Sequence, residues 1–132
     1  MTYPSITAAY SAAFAFLFFV LAIWVIAGRL NSGILHGDGG QEQMNRRIRA
    51  HGNFAEYVPM ILLLAALLEA GGTGPTTMHA FLAPLLIARV LHPFGMLAPV
   101  GSVRQYVCRG GGIMVTLAVL VAEAVRLALR MA

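Results

Sequence analysis

Arg49, Asn53 and Glu56 stand at i, i+4 and i+7, a spacing that puts a guanidinium, an amide and a carboxylate on one helical stripe. Tyr57 lies beside that stripe and Arg46 one turn before it. The segment runs straight into Met60–Leu68, nine residues with no polar side chain, so the polar face is carried toward an apolar interior. Such a face suits a small zwitterion. The guanidinium fork donates bidentately to a ligand carboxylate, and the carboxylate accepts from an ammonium. Asn53 needs a partner of its own, because an amide offers two donors and an acceptor that lipid cannot satisfy.

The elements that must position this face are membrane helices. Of 132 residues, 59% are hydrophobic and 11% charged, against a charged share of about 25% in ordinary soluble domains. The chain cannot supply a polar skin. Ile6–Ala27 holds no charge in 22 residues, enough for the roughly 20 that cross a bilayer. No basic residue precedes Arg29, so the stretch lacks the basic region of a cleaved signal peptide and is expected to be a retained span.

The expectation is one all-α domain over 1–132, an integral membrane four-helix bundle in up-down order, with helices near 6–27, 43–70, 77–97 and 104–130. The first helix is expected to stop at Gly28-Arg29, and the glycine-rich stretch 29–43 to be an irregular loop. In the second helix the apolar run Val58–Leu68 has 11 residues and cannot span alone. Its polar half must therefore sit at membrane depth, shielded by protein. Pro59 is expected to kink that helix just past the polar stripe.

All nine basic residues are arginine. Arg29, Arg46, Arg47, Arg49, Arg104 and Arg109 gather on one side of a four-span topology, against Arg126 and Arg130 on the other. The positive-inside rule makes the first side cytoplasmic and puts both termini outside. Cys108 is the single cysteine, which excludes an intrachain disulfide and a cysteine-built metal site. No two histidines show metal spacing, so no metal is expected, and no nucleic acid partner either.

Arg49, Glu56, Arg89 and Glu123 are ionisable groups within the apolar blocks. A charge at a lipid-facing helix centre costs about 2.5–3.5 kcal/mol, so these groups must face one another, another subunit or a ligand. Glu56 can pin the second helix by pairing with Arg89 or with Arg49, which is compatible with a ligand role. Glu123 and Arg126 (i, i+3) are expected to pair at a helix end. His92 follows Arg89 by three and shares its face, whereas His51 points away from Asn53.

At these residues the chain resembles the MAPEG family, the membrane-associated proteins of eicosanoid and glutathione metabolism. Arg49-Ala50-His51-Gly52-Asn53-Phe54-Ala55-Glu56-Tyr57-Val58-Pro59 is similar to the family's second-helix signature, R-A-x-x-N-x-x-E ending in proline. Ala88-Arg89-Val90-Leu91-His92-Pro93-Phe94-Gly95 resembles its third-helix signature, and Arg29 falls where the family places a carboxylate-binding arginine. His51 is similar to the prostaglandin E synthase branch and Glu56-Tyr57 to the leukotriene C synthase branch. Met96 stands where several members have tyrosine, and Leu30 where the leukotriene branch has a second arginine.

The resemblance implies a homotrimer that binds glutathione between neighbouring subunits near the cytoplasmic face. Arg49 and Arg29 would take its carboxylates, Glu56 its ammonium, and Asn53 and Tyr57 its polar backbone. His51, Arg89 and His92 are further candidate contacts. A fourth-helix arginine would lie against the sulfur, with Arg104 the first candidate and Arg109 the competitor. The implied activity is that of a glutathione transferase or peroxidase acting on lipophilic electrophiles or lipid peroxides, a detoxification chemistry, in a bacterial inner membrane. The alternative is a non-catalytic lipid- or glutathione-binding scaffold of the same fold. A small proton-coupled exporter is disfavoured, because it wants a carboxylate in a first helix that here has none.

Overall fold

The structure is a computed structural model and describes residues 3–131. Four long helices run along the chain: α1 (Ser5–Ser32), α2 (Glu42–Ala70), α3 (Pro75–Met96) and α4 (Gly112–Met131). A π-helical stretch, Gln105–Gly111, leads without a break into α4. Each of the four resulting spans is long and apolar enough to cross a membrane, and together they form an integral membrane bundle. α1 packs on α2 and α3, and α4 packs on the same two helices, so α1 and α4 occupy opposite corners.

Periodicity accounts for the packing. On α2 the buried residues Phe54, Val58, Ile61, Ala65 and Leu68 recur every three or four positions, as do Met78, Leu82 and Leu85 on α3. Phe14 and Leu21 of α1 and Val119 of α4 complete the core. Phe16, Phe19, Ile23 and Leu30 of α1 are exposed, an outward face that suits lipid.

The helix ends differ from the expectation in ways that packing explains. α1 runs through Gly28 to Ser32, because Gly28 is a packing site and not a stop. A Cβ there would stand 2.8 Å from Arg47 Nη1 and 3.1 Å from the Met44 sulfur. The helix ends instead at Gly33, whose left-handed φ of 67° lets its N–H reach the Arg29 carbonyl. α2 continues through Pro59 to Ala70 as one helix.

At the end of the bundle away from the arginine-rich loops, side chains from other helices satisfy the open helix termini. The Glu69 carboxylate of α2 accepts from the Ile6 and Thr7 backbone N–H groups at 2.8 and 2.7 Å and from the Thr7 hydroxyl at 2.7 Å. It thereby caps the N-terminus of α1. Arg130 of α4 donates from Nη1 to the Leu68 and Gly71 carbonyls at 3.1 and 3.2 Å, closing the C-terminus of α2.

Glu123 departs from its expected pairing with Arg126. Its side chain is fully buried, and neither carboxyl oxygen has a hydrogen-bond partner, whereas Arg126 is exposed. The reason is register: residues 112, 116, 119 and 123 share the stripe of α4 that faces the bundle. An unsatisfied buried polar group costs about 1–3 kcal/mol. Glu123→Met, which keeps the volume and removes that group, should therefore stabilise the detergent-solubilised bundle by about 1–3 kcal/mol in thermal unfolding followed by circular dichroism. Destabilisation of that size would mean the carboxyl has a polar partner in the working protein.

Candidate functional site

The polar face of α2 forms as its spacing requires. Arg49 Nη1 and Glu56 Oε1 lie 3.6 Å apart, with side chains 58% and 51% exposed. Asn53 stands between them in sequence on the same stripe, half-buried. Tyr57 is half-buried beside the apolar core. Arg46 is held by Glu42 and also donates from Nη1 to the Met96 and Ala98 carbonyls at 3.2 and 3.0 Å.

Arg89 supports this face from behind. The buried stripe of α3 continues past Leu85 into Arg89 and His92, which brings a guanidinium into the bundle interior, 1% exposed. Its Nη1 donates to Asn53 Oδ1 at 2.7 Å and its Nη2 to the Gly112 carbonyl at 3.0 Å. Arginine only donates, so this contact fixes the amide with its oxygen toward Arg89 and its NH₂ free for another acceptor. Of the two carboxylate pairings open to Glu56, the geometry places Arg49 and not Arg89 opposite it.

The remaining candidates fall into three groups. His92 is buried one helical turn after Arg89, within electrostatic reach of both Arg89 and Arg109. His51 stacks on Phe18 of α1, with ring centroids 4.7 Å apart, and so serves the contact between the first two helices. Arg29 donates from Nη1 to the Leu35 and Gly37 carbonyls at 3.3 and 2.9 Å, holding the loop after α1.

The π-helical stretch separates the two fourth-helix arginines. Both are exposed; Arg104 precedes the stretch and Arg109 lies within it. Gly95 lets α3 approach this stretch closely, since a Cβ on Gly95 would stand 2.8 Å from the Cys108 carbonyl carbon. The approach sets Arg109 beside the third-helix signature. Arg89, buried about two turns before Gly95 on α3, is the group that reaches Asn53. Gly112, whose carbonyl anchors Arg89, carries no side-chain chemistry, and the glycine run at 110–112 is its only sequence signal. Among the described residues no cluster of three metal-ligating side chains occurs.

These features define an integral membrane helical bundle with a charged, amide-bearing face on its second helix. A model of the MAPEG family matches residues 7–129, and the chain belongs to that family. It is 30% identical over 90 residues to the inner membrane protein YecN of Escherichia coli strain K12, across 68% of this chain and 69% of that protein. YecN of an Escherichia coli O6:H1 strain matches with the same figures. No solved structure matches the chain.

Proposed function

We propose that this protein is a membrane-bound glutathione transferase with peroxidase capacity, acting on lipophilic electrophiles or lipid hydroperoxides. The family to which it belongs includes glutathione transferases. The observation that carries the proposal is the half-exposed Arg49–Glu56 pair at 3.6 Å within a membrane-spanning helix. An exposed pair contributes no more than about 1 kcal/mol, whereas each charge at a lipid-facing helix centre costs about 2.5–3.5 kcal/mol. The pair therefore does not account for itself, and a ligand carrying carboxylates and an ammonium would satisfy both members.

Glutathione has that charge pattern. Arg49 takes one carboxylate, Glu56 the γ-glutamyl ammonium, and the NH₂ of Asn53 a carbonyl or carboxylate oxygen. Tyr57 offers a further hydroxyl. A homotrimer would cover the α2 face from a neighbouring copy and bring that copy's Arg29 to the second carboxylate. The site would open near the cytoplasmic face. Arg109, whose backbone lies against Gly95 one turn past His92 on α3, is the group we assign to the glutathione sulfur in preference to Arg104. The thiolate it stabilises would attack an electrophilic carbon, forming a C–S bond as that carbon's leaving group departs with the bonding electrons. With a hydroperoxide, two thiols would be oxidised to the disulfide as the peroxide is reduced to alcohol and water.

Glutathione titrated into the detergent-purified protein tests this by ultraviolet difference spectroscopy. A saturable thiolate absorbance at neutral pH is the expected outcome. Calorimetric binding without that absorbance would assign the protein as a glutathione-binding scaffold, and absence of both would remove glutathione from the site.

A further inference from the structure

One face of α1, separate from the α2 site, carries two hollows in line. Leu17, Leu21 and Trp24 face Val90, Phe94 and Leu97 of α3 across an apolar groove of 350 Å³. Further along α1, Gly28, Asn31 and Ser32 face Gln43 and Arg47 of α2 across a polar hollow of 130 Å³. Residues 17, 21, 24, 28 and 31 recur every three or four positions, so both hollows open along a single stripe of the helix.

Arg47 stands where the two hollows meet. It lines the polar one, and its guanidinium carbon lies 5.2 Å from the centroid of the Trp24 ring that walls the apolar one. Its Nη1 donates to the Trp24 carbonyl at 3.1 Å, one of five donors on the group. Arg46 is paired with Glu42 and Arg49 with Glu56, but Arg47 has no carboxylate partner among the described residues. An uncompensated cation thus tops an apolar groove at the arginine-rich end of the bundle. The α1 wall from Leu17 to Trp24 is about 10 Å long at the helical rise, about two thirds of the roughly 15 Å hydrocarbon depth of one leaflet.

We propose that this face binds an anionic glycerophospholipid, with one acyl chain in the α1–α3 groove and its phosphate on Arg47. Asn31, Ser32 and Gln43 of the polar hollow meet the rest of the headgroup. The matching of charge and shape selects this occupant. A zwitterionic lipid would set its own headgroup cation against the phosphate and bring no net charge to Arg47, and a free anion would leave the groove unused. Trp24 sits at the junction of chain and headgroup, the level at which indole rings settle in membranes. The ring occupies the face of the guanidinium and leaves its edge for phosphate.

The test uses the full chain, purified in neutral detergent and stripped of lipid. Phosphatidylglycerol, phosphatidylcholine with the same chains, and glycerol phosphate are titrated separately, and bound lipid is read by native mass spectrometry. Phosphatidylglycerol is expected to saturate. Arg47→Gln should lower its affinity about fivefold, the worth of one arginine near a charged membrane surface. Val90→Trp fills the groove from a wall residue that is 43% exposed, leaves Arg47 in place, and should also release the lipid. Equal binding of phosphatidylcholine would overturn the assignment of charge. Saturation by glycerol phosphate alone would reduce the site to one for free anions. Unchanged phosphatidylglycerol affinity in both folded variants would place the lipid elsewhere.

Discussion

Arg49→Ala is expected to weaken glutathione binding about thirtyfold, or about 2 kcal/mol. The size follows from what the truncation leaves behind. Arg49 and Glu56 lie 3.6 Å apart on a face that stays more than half exposed in the single chain. Removing the guanidinium strips a ligand carboxylate of its bidentate partner and leaves Glu56 to repel it. Glu56→Gln keeps the shape, loses only the ammonium partner, and should weaken binding less than Arg49→Ala. Calorimetry on the assembled protein reads both. Wild-type affinity in the two variants together would move the glutathione site off α2.

Arg109→Ala should act on the chemistry more than on the binding. A free thiol ionises with a pKa of about 8.5, so little thiolate exists at neutral pH. Lowering that value by about two units requires about 2.7 kcal/mol of thiolate stabilisation, within reach of one partly desolvated guanidinium. A pH titration of thiolate absorbance in glutathione-saturated protein should therefore have its midpoint raised by about two units in Arg109→Ala. The shift is upward because the lost cation favoured the charged form. Arg104→Ala is the comparison. If its midpoint rises and that of Arg109→Ala does not, the sulfur belongs to Arg104.

Much of the site was legible because helical periodicity is local. The i, i+4, i+7 spacing of Arg49, Asn53 and Glu56 already puts them on one face, and α2 keeps them there. The same rule left Glu56 with two possible partners. Choosing between them needed the crossing of α2 and α3, which sends Arg89 to Asn53 instead. Nothing in the neighbourhood of Glu69 marks it as a cap. Its partners, Ile6 and Thr7, lie more than sixty positions away in sequence. Glycine misled in one place and stayed silent in another. Gly28 resembles a helix stop but is a contact surface, and Gly95 gives no hint that the π-helical stretch passes over it.

The sequence by itself determined that the chain is a membrane bundle of four helices. Apolar length and charge scarcity are properties of single segments, and they leave a chain of this composition no soluble alternative. It also determined which polar side chains share a helical face. Only the tertiary structure decided which faces are buried and against what. It turned Glu123 inward without a partner, buried Arg89 beneath Asn53, and set Arg109 rather than Arg104 against Gly95. The last two depend on helix crossings and on the wide turn of the π stretch, which contacts between residues far apart in the chain fix.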